Sequence, residues 1–198
     1  MAETSHTLLD SVRTGQDNFA WQRWHAIYEP LILGWLKQRH LVPSDCDDVT
    51  QNVMIVVVRR LPEFEHNGRI GAFRHWLKTI TINCLRDFWK SRANHPQAGE
   101  AMGVLDAWAD PHSNLSMMWD HEHDQHVAKQ LMKLLEPEFT PVTWEAFQQV
   151  VVQDRPVEEV ASQLGITVNA VYIAKYRVVN RLRAVAEGLV DEPSFESK

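Results

Sequence analysis

The chain has 198 residues, 44% of them hydrophobic, with a formal net charge of −6. That size and composition fit one or two folded domains. The two cysteines, Cys46 and Cys84, lie far apart without metal-ligand spacing and suit a reducing cytosol. No apolar run approaches the 18 residues of a membrane-spanning helix, so a soluble cytoplasmic protein without membrane insertion is expected.

Only 8 Gly and 9 Pro, with few Val/Ile/Thr alternations, favour an all-α fold. The charge is unevenly spread. Residues 93–128 hold six acids, Glu100, Asp106, Asp110, Asp120, Glu122 and Asp124, and no Lys or Arg. That segment alone equals the net charge, so the remainder is balanced overall and locally basic.

Residues 1–15 are polar, lack the apolar core of a signal peptide, and read as a partly ordered leader. A helical pattern follows over 17–39 (Phe19, Trp24, Ile27, Tyr28, Leu31, Trp35), which Pro30 should kink or split. After a turn at Leu41, Val42 and Pro43, Ser44 or Asp45 is expected to cap a helix over 45–61. Val49, Val53, Val56 and Val57 form its apolar stripe, with Asp48, Gln51, Asn52 and Arg59 elsewhere on its circumference. Asp45, Asp47 and Asp48 suit the positive end of the helix dipole. The apolar run 54–58 also fits a strand, but the acidic capped start favours helix.

Residues 62–71 read as a loop by their Pro, Asn-Gly and Gly content. Helix resumes from Ala72, with Trp76, Leu77, Ile80, Cys84 and Phe88 expected to bury. From Arg69 to Arg92 six bases (Arg69, Arg74, Lys78, Arg86, Lys90, Arg92) face one acid, Asp87. Bases interleaved with Phe73, Trp76, Phe88 and Trp89 fit single-stranded nucleic acid, whose phosphates want cations and whose bases stack on rings. The same rings also fit a core, so the basic surface carries more of the inference than they do.

The acidic stretch after Ala93 contains Pro96, Gly99, Gly103 and Pro111 and reads as a flexible linker over 94–125. Its His121, His123 and His126 do not share one helix face and lack a Cys/His framework, so no metal or other cofactor is expected. The domains are then 16–93 and 126–189, followed by a polar tail.

In the second domain residues 127–135 are expected to be helical. Thr140 then caps a helix carrying Val142, Trp144, Phe147, Val150 and Val151. Val157, Val160, Ala161 and Leu164 mark another helix, stopped by Gly165 as a left-handed C-cap. Thr167 caps a further apolar series, Val171, Val178, Leu182 and Val185. Two helices joined by such a turn form a helix-turn-helix, whose second helix enters the DNA major groove. At about 100° per residue, Val171, Ala174, Val178 and Leu182 face inward, and Asn169, Tyr172, Ile173, Tyr176 and Arg177 outward. Lys175, Arg177, Arg181 and Arg183 are unopposed by acids over 167–186.

The order of these parts resembles the extracytoplasmic-function group of RNA polymerase sigma factors, within the sigma-seventy family. D-C-D-D-V-T-Q-N-V (45–53) is similar to the family's D-x-x-D-L-x-Q-E-V-F helix. F-R-H-W-L-K-T-I-T-I-N (73–83) is similar to F-R-x-W-L-x-x-I-A-x-N. V-E-E-V-A-S-Q-L-G-I-T-V-N-A-V (157–171) is similar to S-x-E-E-I-A-x-x-L-G-x-S-x-x-A-V. Asn52 and Met54 depart from the family's frequent Glu and Phe.

The resemblance implies a non-enzymatic sigma factor that directs core RNA polymerase to promoters. It implies docking on the beta-prime clamp helices through Asp48, Gln51 and Asn52, and of the C-terminal domain on the beta flap. It places a flipped minus-ten base at the loop of Phe64, Asn67 and Arg69, and neighbouring melted DNA at Arg74, Lys78, Asn83 and Arg86. The minus-35 duplex falls to Thr167, Asn169, Tyr172, Ile173, Tyr176 and Arg177, with Arg181 on the backbone. The acidic linker would run along or into the RNA exit path. An anti-sigma factor is a further candidate partner on which the sequence is silent. The alternatives are a helix-turn-helix regulator that is not a polymerase subunit, which has no use for a basic aromatic helix at 73–92, and a nuclease or metal hydrolase.

Overall fold

The computed structural model describes residues 8–13, 18–38, 42–65, 71–187 and 189, which form nine α-helices and no strand. The first is α1 (Leu8–Arg13), inside the expected leader; Leu8, Leu9 and Val12 bury against α2 (Asn18–Lys37). Helix α2 runs unbroken through Pro30. The expected split is corrected: Ile27, Tyr28, Leu31 and Ile32, all buried, anchor the turns on both sides of the proline, and packing outweighs one lost backbone hydrogen bond.

Helix α3 (Pro43–Arg60) starts with Pro43 in its first turn and Val42 at the cap position, without a side-chain cap. The expected Ser44 or Asp45 cap is thereby replaced by proline's preset φ and missing N–H, which suit the first helical position. Cys46, Val49, Val53 and Val57 bury. A 3₁₀ turn, Leu61–Glu63, follows. Helix α4 (Ala72–Ser91) begins after Gly71, whose φ of 72° lies in the left-handed region, where glycine has no Cβ penalty. Helix α3 packs on both α2 and α4, and Tyr28 of α2 meets Phe73 of α4 edge-on.

The segment expected to be a flexible linker is corrected most. It forms α5 (Ala98–Ala109) and the first half of α6 (Asn114–Leu135), whose cap Ser113 accepts from the Ser116 N–H. The expected domain boundary at 125/126 falls inside α6. Leu105, Trp108, Trp119 and His123 are buried, and this apolar stripe, at helical spacing, binds the segment down. Trp108 stacks on Trp35 of α2 (centroids 5.0 Å, 13° between planes), and Trp119 meets both edge-on at 4.9 and 5.2 Å. Aromatic pairs of this kind contribute roughly 0.5–1.5 kcal/mol each beyond burial. His126 Nε2–H donates to the Ile27 carbonyl (2.8 Å), and His123 lies 5.8 Å from the Tyr28 ring. Ascending positions on α6 thus meet descending ones on α2, so the two helices are antiparallel.

The second half of α6 buries Val127, Leu131 and Leu135 and packs on α9. Helix α7 (Pro141–Phe147), capped by Thr140, passes into a π-helical turn, Gln148–Val152. Helix α8 (Val157–Leu164) ends at Gly165 with φ 65°. Thr167 then caps α9 (Val168–Ala186) by accepting from the Ala170 N–H. One apolar cluster runs from α1 through α6 to α9, and a smaller one joins Ala146, Val150, Val160, Ala161, Val171 and Ala174. No described helix is long and apolar enough to cross a membrane.

Candidate nucleic-acid interface

Arg74, Lys78, Ile82 and Arg86 recur every fourth residue and so lie in one stripe along α4. Each of the three cations meets α5 or α6. Arg74 donates through Nη1 to Asp124 Oδ2, and its Nε lies 3.2 Å from Asp120. Lys78, 3% exposed, donates to the Ser116 hydroxyl and lies 3.5 Å from Asp120. Arg86 Nη2 donates to Asp106 Oδ1 at 2.7 Å. Gly71 helps seat the first of these, since a Cβ there would lie 2.8 Å from Arg74 Nη2.

Burial lowers the Lys78 pKa, with the Asp120 carboxylate opposing the shift. Burial alone would raise that of Asp124. Hydrogen bonds from His123 and Arg74 outweigh it and hold the carboxyl below its ordinary value. His123 and His126 are both held below the usual imidazole value, chiefly by burial. The three histidines of the acidic run go different ways: His121 meets Gln125, His123 meets Asp124, and His126 meets the α2 backbone.

Of the residues expected at melted DNA, Asn83 is exposed beside a small cavity of about 50 Å³ lined by His75, Lys78, Thr79, Ile82, Arg86 and Ala109. Phe64 is corrected. It is 7% exposed, with its ring centroid 5.6 Å from Phe73 and 5.2 Å from Trp76, so it belongs to the core and is not presented to a base. Phe73 and Trp89 are buried as well, and Trp76 and Phe88 half-buried. Asn67 and Arg69 lie outside the described residues.

On α3, Asp48, Gln51 and Asn52 are all exposed. Asp48 and Gln51 line an open groove of about 370 Å³ with Asp47, Thr50 and Met54, closed on the α2 side by His25, Glu29 and Leu33. Asn52 is not part of its wall. Ile55 and Val58, farther along α3, are also exposed. They extend an apolar edge that the helical stripe did not single out.

Helix α9 presents the expected faces. Val171, Ala174, Val178 and Leu182 are buried, while Asn169, Tyr172, Ile173, Tyr176 and Arg177 are exposed, Tyr176 by 68%. Thr167 is exposed at the cap. Arg181 makes a two-point contact with Glu138, at 2.7 and 3.2 Å. This ties α9 to the turn after α6, while the Arg181 side chain stays partly exposed.

The acids Asp106, Asp120 and Asp124, placed in a linker by the sequence reading, are the partners of the α4 stripe. Their signal was present as two adjacent segments of opposite charge. The structure defines a helical protein with a basic stripe, an acidic groove and an exposed aromatic helix. Residues 25–95, from within α2 to just past α4, match the family model for Sigma-70 region 2. The match takes in α3, α4 and the greater part of α2, and is a likeness of that part of the chain to the family. No curated protein matches the chain.

Proposed function

We propose that the chain is a sigma factor of the extracytoplasmic-function group, which carries core RNA polymerase to specific promoters and helps to open them. The observation that carries this reading is the Sigma-70 region 2 match on α2–α4, joined in one chain to the exposed face of α9. In this reading the α3 groove with Asp48 and Gln51, together with neighbouring Asn52, receives the beta-prime clamp helices. Arg74, Lys78, Asn83 and Arg86 meet the melted minus-ten strand, with Asn67 and Arg69 nearby.

Helices α8 and α9 act as a helix-turn-helix on the minus-35 duplex while their module docks on the beta flap. Arg177 and Asn169 are suited to base edges and phosphates, and Tyr172, Ile173 and Tyr176 to apolar contact with thymine methyls. The setting is the cytoplasm, where the polymerase works, and an anti-sigma factor is a candidate regulator. Catalysis has no part in the role.

Core polymerase mixed with the protein tests the reading. Co-elution as a stoichiometric complex, lost in Asp48→Arg/Gln51→Ala, is expected. Separate elution at micromolar concentrations would contradict it and favour a regulator that acts without polymerase.

A further inference from the structure

The basic stripe of α4 is the surface that single-stranded DNA needs, yet it is covered in the folded chain. The geometry points to an internal cover: α5 and the first half of α6 occupy the α4 stripe and must move off before that stripe can take nucleic acid. The inference rests on the proposed function for what the uncovered stripe binds, but the cover itself is a matter of contacts.

Three observations converge. Arg74, Lys78 and Arg86, the cations of the stripe, each face an acid of the cover, so carboxylates stand where phosphates would. Lys78 is almost wholly buried by this arrangement, and no phosphate reaches it while Ser116 and Asp120 are in place.

The cover is also seated at an internal cost. Among the described residues, Trp24 Nε1, Tyr28 OH, Trp108 Nε1, Trp119 Nε1 and His123 Nε2 are buried with no hydrogen-bond partner. Trp108, Trp119 and His123 lie where α5 and α6 meet α2, with Tyr28 beside His123 and Trp24 stacked on Tyr28. Buried donors and acceptors without partners regain water when an interface opens, so this seam is less stable than its aromatic area suggests. A seam with that cost and a charge-matched face is suited to exchange one polyanion for another.

Release would also reach α9. Helix α6 is continuous from the cover to the packing surface of α9. Lifting its first half therefore also shifts the surface on which α9 packs. One movement would expose the stripe and change the spacing between the two DNA-facing elements.

The test neutralises the cover and leaves the stripe intact. Asp106→Asn/Asp120→Asn/Asp124→Asn is compared with Glu100→Gln/Asp110→Asn/Glu122→Gln. The second set removes equal charge from the same segment, at acids that make no ion pair with α4 among the described residues. Binding of a fluorescent single-stranded 20-mer to the full-length proteins is followed by anisotropy over a range of salt. The first triple variant should bind at least tenfold tighter than the control triple. Its salt slope should be steeper by about two units, since about three newly exposed cations each contribute ~0.7 on single strands. Equal affinities and slopes for the two variants would overturn the cover.

Should the first variant unfold, Asp106→Asn alone, at an exposed carboxylate, serves in its place. A slope steeper by about 0.7 than for Asp110→Asn supports the cover, and no difference overturns it. These readouts need no polymerase, so failure of the cover and failure of the proposed function remain distinguishable.

Discussion

The guanidinium of Arg74 on α4 donates to the carboxylate of Asp124 on α6, 50 residues further along the chain. The same carboxylate accepts from His123 Nδ1 (2.9 Å), whose ring is wholly buried beside Tyr28. One carboxylate thus fixes the basic stripe of α4 and the aromatic seam against α2.

Removing that carboxylate should therefore cost more than an exposed ion pair. Asp124→Ala is expected to destabilise the fold by about 1–3 kcal/mol, the range for a hydrogen bond to a charged group with its partner left partly buried. The Arg181–Glu138 pair, with both side chains more than a third exposed, should lose only about 0–1 kcal/mol in Arg181→Ala. Urea unfolding of the two variants checks the ranking, and equal losses would contradict it.

The pH dependence follows from His123 and His126, both held below the ordinary imidazole pKa. In the unfolded chain each titrates near ~6.5. Between that value and the lower folded one the unfolded state binds more protons, so stability rises with pH in that window. Acidification below about 6.5 should loosen α6. The Asp124 carboxyl is itself depressed, so its contribution is lost only as pH falls through its lowered value, beneath the ordinary carboxylate range. Thermal melts at pH 7.5 and 5.5 should show a loss in the parent and a smaller one in His123→Leu. An identical loss in both would remove His123 from the account.

Much of the α9 surface was legible from the sequence. Cap, glycine stop and an uninterrupted apolar register act locally, and local geometry decides which side chains face out. The cover was not read, because Pro96, Gly99, Gly103 and Pro111 resemble linker punctuation and the acids resemble solvation. Yet Trp119, His123, Val127, Leu131 and Leu135 recur every fourth residue, a helical signal outweighed by composition. Phe64 was illegible for a different reason. A lone aromatic after a proline turn gives no periodicity, and only the meeting of α4 with the chain after α3 buries it.

The face of α9 allows its residues to be separated by promoter. Arg177→Ala should relax specificity at one or two minus-35 positions, by roughly 1–3 kcal/mol if its contact is bidentate to a base. Arg181→Ala, which releases Glu138, should leave the ranking of promoters unchanged. Transcription over a promoter library with core polymerase in excess distinguishes them, and matching profiles would refute the assignment of Arg177.

The central claim is that this chain directs polymerase to promoters. Its most direct test is run-off transcription by purified core polymerase on a library of genomic promoter fragments from the source organism, with and without the protein. Discrete transcripts are predicted only when both are present, and they should disappear with Asp48→Arg/Gln51→Ala while the variant keeps its helical circular dichroism. Transcripts that do not depend on the protein, or none despite a stable complex with core, would contradict the account.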